Sequence, residues 1–577
     1  MSTAPTLQHR ESPNRSQGKS WELEADFMAS TANLRSRRSA AELHALEGVE
    51  REIRAQDSHG RRKYLREFSQ AFGNYDSLLD RQQIQNALQA ADVVLIGDYH
   101  ALPAAQRYAA SLIEQRALAG DRRLVLGVET IFARDQHILE EWWRREIDEN
   151  ELRQRIRFDL DWGYDWPPFH ELLVAARDHG EAIYGLDCMP RENLRKIGAR
   201  DRHAAAKISE IRQRHPDAVI FVLFGESHLA PGHLPRVLHK ELPEAKILTV
   251  LQNVDALYWR AAGEPVDKVE AVRVNNDVLC VFNATPLEKY ESYRLFLDQW
   301  SRCDTGPDFA PTIYNLIDSL ASFLEINRYS PHNGTQPRFL VDMLPEVHGN
   351  ASDAALRRLI SRKAIPDQQM ASMLASVEER GSAYFPEVNA FYVREFQLMH
   401  AAEDAARFLH HACRGLPQHL NGHGLDVNGA DGNGLLGTTN AAAAMDAFYT
   451  RVIENAVAYF GSRVLYPARP APETDNSFTL SRAACEKAAL AAIRADNEKL
   501  EAIAKDWGYR LGSMLYAAYL AGRVTPGGLR RLFLAHLNEP GVARKIYTAV
   551  IARVRSASRD AHASNAGPSS DAKLDLA

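Results

Sequence analysis

The chain has 577 residues, 45% hydrophobic and 25% charged, with a formal net charge of −6. That length is too great for one core and predicts two to three domains of roughly 100–200 residues each. The small negative charge argues against a general nucleic-acid-binding protein, and no apolar run reaches the roughly 18 residues of a membrane span.

Residues 1–20 are rich in Ser, Pro, Asn, Gln and charge, which predicts disorder. They lack the apolar stretch of a secretory signal. The cysteines (Cys188, Cys280, Cys303, Cys413, Cys485) are scattered and never form a Cys-x-x-Cys pair. Both features lead us to expect a reducing, cytoplasmic setting without a disulfide framework or a zinc-thiolate site. Residues 21–79 read as a helical N-terminal extension. Asp80 is placed to cap a helix carrying Ile84, Ala87 and Leu88 on one face.

Val93-Val94-Leu95-Ile96 then reads as a strand buried on both faces; Gly97 permits a turn and His100 falls just past the strand end. The same construction returns at Val219–Phe224, followed by Gly225-Glu226-Ser227-His228. Between these two, Leu124–Val128 is a strand ending on Glu129, and Ala182–Leu186 one ending on Asp187. Lys246–Leu251 adds another strand, and helices are expected at 104–119, 134–145, 170–179 and 191–214. This alternation predicts an α/β domain over residues 80–262, with a mainly parallel sheet flanked by helices. Residues 263–345 extend it with β and loop segments, including a β-rich piece at 269–282 and a short helix at 290–300. Residues 346–556 read as an α-helical domain, with helices at 351–362, 366–377, 385–413, 439–461, 480–522, 526–535 and 539–556. A Gly/Asn-rich loop is expected at 416–437, holding a Gly-x-Gly-x-x-Gly that follows no strand, and a disordered tail at 557–577.

In a parallel sheet, residues just past the strand ends converge on one edge. His100, Glu129, Asp187 and His228 should therefore meet, with Asp98 and Glu226 in the same loops and Gly97 and Gly225 as the turns. Two imidazoles with carboxylates suit a divalent metal held by His100, Glu129 and His228, or an acid/base pair around a water. The loop Asp161-Trp162-Gly163-Tyr164-Asp165-Trp166 offers flat surfaces with polar handles, suited to a planar or apolar ligand. In the helical region, His400, Glu403, Arg407 and His410 share one helix face. Their order is not that of a di-iron bundle, so a solvated or salt-bridged face is expected.

Gly97-Asp98-Tyr99-His100, Glu129, the aromatic loop and Gly225-Glu226-Ser227-His228 come in the order found in one family. Over roughly residues 80–262 the chain resembles the ChaN-like haem-binding uptake family of the Tiki/TraB superfamily, which is related to erythromycin esterases. Gly97, His100, Glu129, Gly225 and His228 fall on the family's motif positions; Asp98 stands where the first motif usually has Glu. The resemblance implies haem or iron binding, with haem held between protomers of a homodimer. Tyr99, His100, Tyr164 and His228 would be candidate iron ligands, and Trp162 and Trp166 ring contacts. The superfamily's hydrolases imply a second use of the cleft, with His100, Glu129 and His228 as catalytic residues. A third reading is a non-catalytic interaction protein whose helical region binds a partner.

Overall fold

The computed structural model describes residues 15–57, 63–119, 122–189, 197–301, 306–327, 340–349, 353–361, 367–414, 438–473, 481–493, 497–537 and 539–565. Residues 416–437, and with them the Gly-x-Gly-x-x-Gly, lie outside this set. So do residues 1–14 of the polar leader and the tail beyond 565; the parts of both that are described, residues 15–20 and 557–565, are helical.

An eight-stranded sheet organises the first half of the chain. Its strands are β1 (Ser77–Leu79), β2 (Val93–Asp98), β3 (Leu124–Phe132), β4 (Ala182–Asp187), β5 (Val219–Gly225), β6 (Ile247–Gln252), β7 (Ala271–Asn275) and β8 (Val278–Val281). The order is β1-β7-β8-β6-β2-β5-β3-β4. β2 to β6 and β8 run parallel, whereas β7 pairs antiparallel with both β8 and β1. β2 lies between β5 and β6, with Leu95 opposite both Val222 and Thr249. The two Gly-x-x-His strands are thus nearest neighbours, and their C-terminal ends open on the same edge.

The central strands are apolar on both faces because helices cover both. Val94, Ile96, Leu126 and Phe221 pack with Ala109, Ile113 and Leu172 of helices Pro103–Ala119 and Trp166–His179. The alternate residues Val93, Leu95, Val125 and Ile220 pack with Ala204, Ile208 and Leu234 of helices Ile197–Arg214 and Leu234–Glu241. Asp80 closes a full capping box with Gln83 at the start of helix Arg81–Ala90, as its position predicts.

The second core is helical. Helices Leu398–Arg414, Thr438–Leu465 and Asn497–Leu520 share it with Ile313, Leu316 and Leu320 of helix Ala310–Phe323 and with Ala41, Ala45 and Val49 of the N-terminal helix Arg15–Gln56. The N-terminal extension is therefore divided: its long helix joins this core, while Phe68 and Phe72 pack under the sheet.

The sequence reading errs at 385–413. A three-stranded sheet stands at the start of that stretch, built from β9 (Glu346–Gly349), β10 (Ser382–Phe385) and β11 (Ala390–Val393) in the order β10-β11-β9. The helix begins only at Leu398. The cause is the turn Pro386-Glu387-Val388-Asn389: proline breaks a helix and Asn389 takes φ +50°. Within the expected helix over 480–522, the described residues are helical at Arg482–Ile493 and Asn497–Leu520.

The register of β4 against β3 shifts between Val128 and Phe132, and Gly185 sits opposite the irregularity. A Cβ on Gly185 would lie 2.7 Å from the Phe132 carbonyl oxygen and 2.8 Å from that of Ile131. Gly185→Ala should therefore destabilise the protein by about 1–3 kcal/mol, seen as a lowered urea midpoint. An unchanged midpoint would contradict this close backbone approach.

Candidate functional site

The expected residues do meet at the C-terminal edge of the parallel sheet. Glu129 lies at their centre and is buried. One carboxylate oxygen, Oε1, accepts from Arg200 Nη2; Oε2 accepts from the backbone N–H of Gly225 at 2.5 Å. Arg200 also grips Asp187 in two-pronged fashion, at 2.8 and 3.0 Å. His228 Nε2 stands 3.7 Å from Glu129 Oε1. Burial alone would push the Glu129 carboxyl up, but Arg200, His228, His100 and the Gly225 N–H together hold it at about 2.

His100 occupies the open side of this cluster. Its Nδ1 lies 2.7 Å from Asp98 Oδ2, and Gln106 Nε2 donates to the other Asp98 oxygen. A carboxylate partner makes Nδ1 the donor and leaves the lone pair on Nε2. The side chain is 24% exposed. Around it stand the rings of Trp162 at 4.4 Å and Tyr164 at 5.3 Å between centroids. Tyr164 stacks on Phe296 at 4.2 Å, and Phe296 lies 5.1 Å from Trp300. Trp300 is 61% exposed and donates to the Gly163 carbonyl at 3.3 Å.

Other candidates are placed differently. His228 is buried, with Nδ1 2.6 Å from Asp201 Oδ1, so it belongs to the frame of the cleft. Asp201 also meets His233 Nδ1 at 3.1 Å. The Tyr99 ring has the Lys289 ammonium 4.7 Å above it, and burial drives its phenol well above the ordinary range. Lys289 pairs with Glu226 at 3.1 Å; burial raises the Glu226 carboxyl despite that pairing. Trp166 is set apart from the His100 rings: it is buried against Phe158, stacks on His170 and donates to Glu149 Oε1 at 2.6 Å.

Neither Gly97 nor Gly225 turns the chain through positive φ. Gly97 continues β2, and its carbonyl accepts from Gln252 Nε2 at 2.7 Å. Gly225 matters for space, since a Cβ there would lie 3.0 Å from Glu129 Oε2 and 3.3 Å from His100 Nε2. A divalent metal does not fit this donor set, because both Glu129 oxygens already accept from protein donors. Among the described residues, no group of three or more His, Cys, Asp or Glu could hold a metal ion.

Arg200, Asp201, Lys289, Phe296 and Trp300 escaped the sequence reading. All five lie on helices, where a charged or aromatic residue reads as part of an ordinary amphipathic face. The spacing of Tyr293, Phe296 and Trp300 on helix Pro286–Ser301 was the available signal.

Replacing Arg200 by Gln strands Glu129 and Asp187 as buried anions, and should cost about 3–5 kcal/mol at pH 7 in a urea titration. A carboxyl held below its ordinary 4.5 stabilises the fold above that pH and loses its contribution as pH falls towards about 2. The cost of Arg200→Gln should accordingly shrink on acidification across that window; a loss independent of pH would contradict the assignment.

Residues 84–218 match the family described as haem-binding uptake, Tiki superfamily, ChaN. A solved structure titled cofacial heme binding to ChaN of Campylobacter jejuni aligns at 15% identity and a TM-score of 0.23, covering 30% of this chain and 86% of that one. No curated protein matches the chain. No described helix is long and apolar enough to cross a membrane. The similarity to the ChaN-type haem-binding uptake family of the Tiki superfamily is confined to residues 84–218, within the α/β part of the chain.

Proposed function

We propose that the α/β domain binds haem at the C-terminal edge of its sheet, with His100 as the axial iron ligand. The observation that carries this reading is a partly exposed imidazole set among rings. Asp98 holds its Nδ1 at 2.7 Å, and Trp162 and Tyr164 flank it. The hydrogen bond to Asp98 fixes the ring's orientation and raises the basicity of Nε2, the nitrogen a metal would take. Trp162, Tyr164, Phe296 and Trp300 gather aromatic rings beside His100, apolar surface of the kind a porphyrin contacts. Haem bound here would supply a redox-active iron tuned by its axial imidazole and by the polarity around it.

Of the four candidate iron ligands, His100 and Tyr164 suit the role best. His228 is taken up by Asp201, and burial keeps Tyr99 a neutral phenol. The reading includes a homodimer, in which a second copy covers the exposed Trp300 and encloses the ligand.

A second reading rests on a different observation: the Nε2 edge of His100 and Oε2 of Glu129 converge over Gly225. With Nδ1 held by Asp98, His100 has the arrangement of a general base for a hydrolase. Glu129, committed to Arg200 and Gly225, would orient groups rather than take protons.

Haemin titration separates the two. Binding should shift the Soret band with saturation at a defined stoichiometry, and His100→Ala should weaken it at least about tenfold, the loss of one good ligand bond. Trp166→Phe should leave it unchanged. No Soret shift, together with ester hydrolysis abolished by His100→Ala, would favour the hydrolase.

A further inference from the structure

The helical region holds a second buried charge cluster, of opposite sign to the sheet-edge site. Glu403, on helix Leu398–Arg414, has 0% exposure. Three guanidiniums converge on it: Arg407 at 2.8 Å, Arg469 at 2.8 Å and Arg380 at 3.5 Å. The Tyr509 hydroxyl donates to its two oxygens at 2.8 and 2.9 Å. Arg380 is shared with Asp404 at 3.3 Å. Lys505 adds a cation 5.6 Å from the Tyr509 ring. The sequence reading of a solvated or salt-bridged face is thus correct for the ion pairs but not for solvent: Glu403, Asp404 and His410 are all buried.

The local charge does not balance. Arg380, Arg407 and Arg469 face two buried carboxylates, Glu403 and Asp404, and Lys505 lies beside the Tyr509 ring. Glu379, the next carboxylate acting on Arg380, is exposed to solvent. Arg407 Nε is buried with no hydrogen-bond partner. His400, beside Arg380, is pushed down to about 4 by burial and by the charges of Arg380, Arg469 and Lys505. Buried cations are normally paired; the three arginines exceed the two buried carboxylates by one positive charge, and the partly exposed Lys505 adds another nearby, so the cluster is suited to an anion. Arginine forks held rigid by a template carboxylate suit tetrahedral oxyanions better than flexible lysines do.

We propose that this cluster is a binding site for a phosphate group, with Glu403 as the template that fixes the arginines. His400, Arg407 and Lys505 are partly exposed and form its entrance. Arg407 and Arg380 donate to the phosphate oxygens, Lys505 neutralises the outer charge, and neutral His400 lines the rim.

The test is calorimetric titration of the full chain with orthophosphate, and separately with glycerol 2-phosphate, at fixed ionic strength. Saturable binding is expected from at least one: a tighter monoester identifies a phosphorylated organic ligand, and equal or weaker monoester binding identifies phosphate itself. Arg407→Gln should weaken it about tenfold or more. Lys505→Gln, which lies outside the Glu403 ion pairs and so spares the fold, should weaken it several-fold. Neither variant should alter haemin binding, which keeps this proposal separable from the one above. No saturable heat with either phosphate, the same response to chloride, or unchanged affinity in Lys505→Gln would overturn it.

Discussion

A carboxylate taken out of water has to be paid for by its neighbours, and Glu129 sets the terms for the whole sheet edge. It sits on β3, yet its partners come from β5 (Gly225), from the helix after β4 (Arg200) and from the loop after β5 (His228). Arg200 in turn must satisfy Asp187 at the end of β4. Three neighbouring strands are thereby tied at their C-terminal ends by one buried ion network. A side chain on Gly225 would crowd Glu129 and His100, whose atoms lie 3.0 and 3.3 Å from where its Cβ would stand. The second Gly-x-x-His is thus a requirement for space rather than for a turn.

With the acidic centre locked, the chemistry moves to its rim. His228 is oriented by Asp201 and faces inward, whereas His100 is oriented by Asp98 and remains partly open. Two motifs that look equivalent in sequence therefore divide the work, one bracing the cleft and the other presenting a nitrogen to it. The aromatic wall is shared between the loop carrying Trp162 and Tyr164 and the helix carrying Phe296 and Trp300. That helix also ties the halves together: Glu288 accepts from Tyr466 of the helical region at 2.8 Å, and Lys289 reaches Glu226 at the site.

Much of this was legible because the physics is local and repetitive. Strands apolar on both faces, such as Val93–Ile96 and Val219–Phe224, can lie only inside a doubly covered sheet, so the convergence of His100, Glu129 and His228 followed from topology. Asp80, ahead of Ile84, Ala87 and Leu88 on one face, announced a helix start. What stayed hidden depends on tertiary partners. Arg200 on its helix looks like any solvated cation until Glu129 and Asp187 are seen beneath it. Trp166 shares its loop with Trp162, but two prolines start a helix there and its ring turns into the core. Phe391 to Val393 carry apolar residues that fit a strand or a helix equally; only the turn at Pro386 and Asn389 decides.

If the proposed site holds haem, His100 supplies the nitrogen that meets iron. Magnetic circular dichroism of the haem-loaded protein reads the axial ligand directly. The expected result is an imidazole-ligated spectrum in the wild type that is lost in His100→Ala and retained in Trp166→Phe. The same imidazole signature surviving in His100→Ala would contradict it.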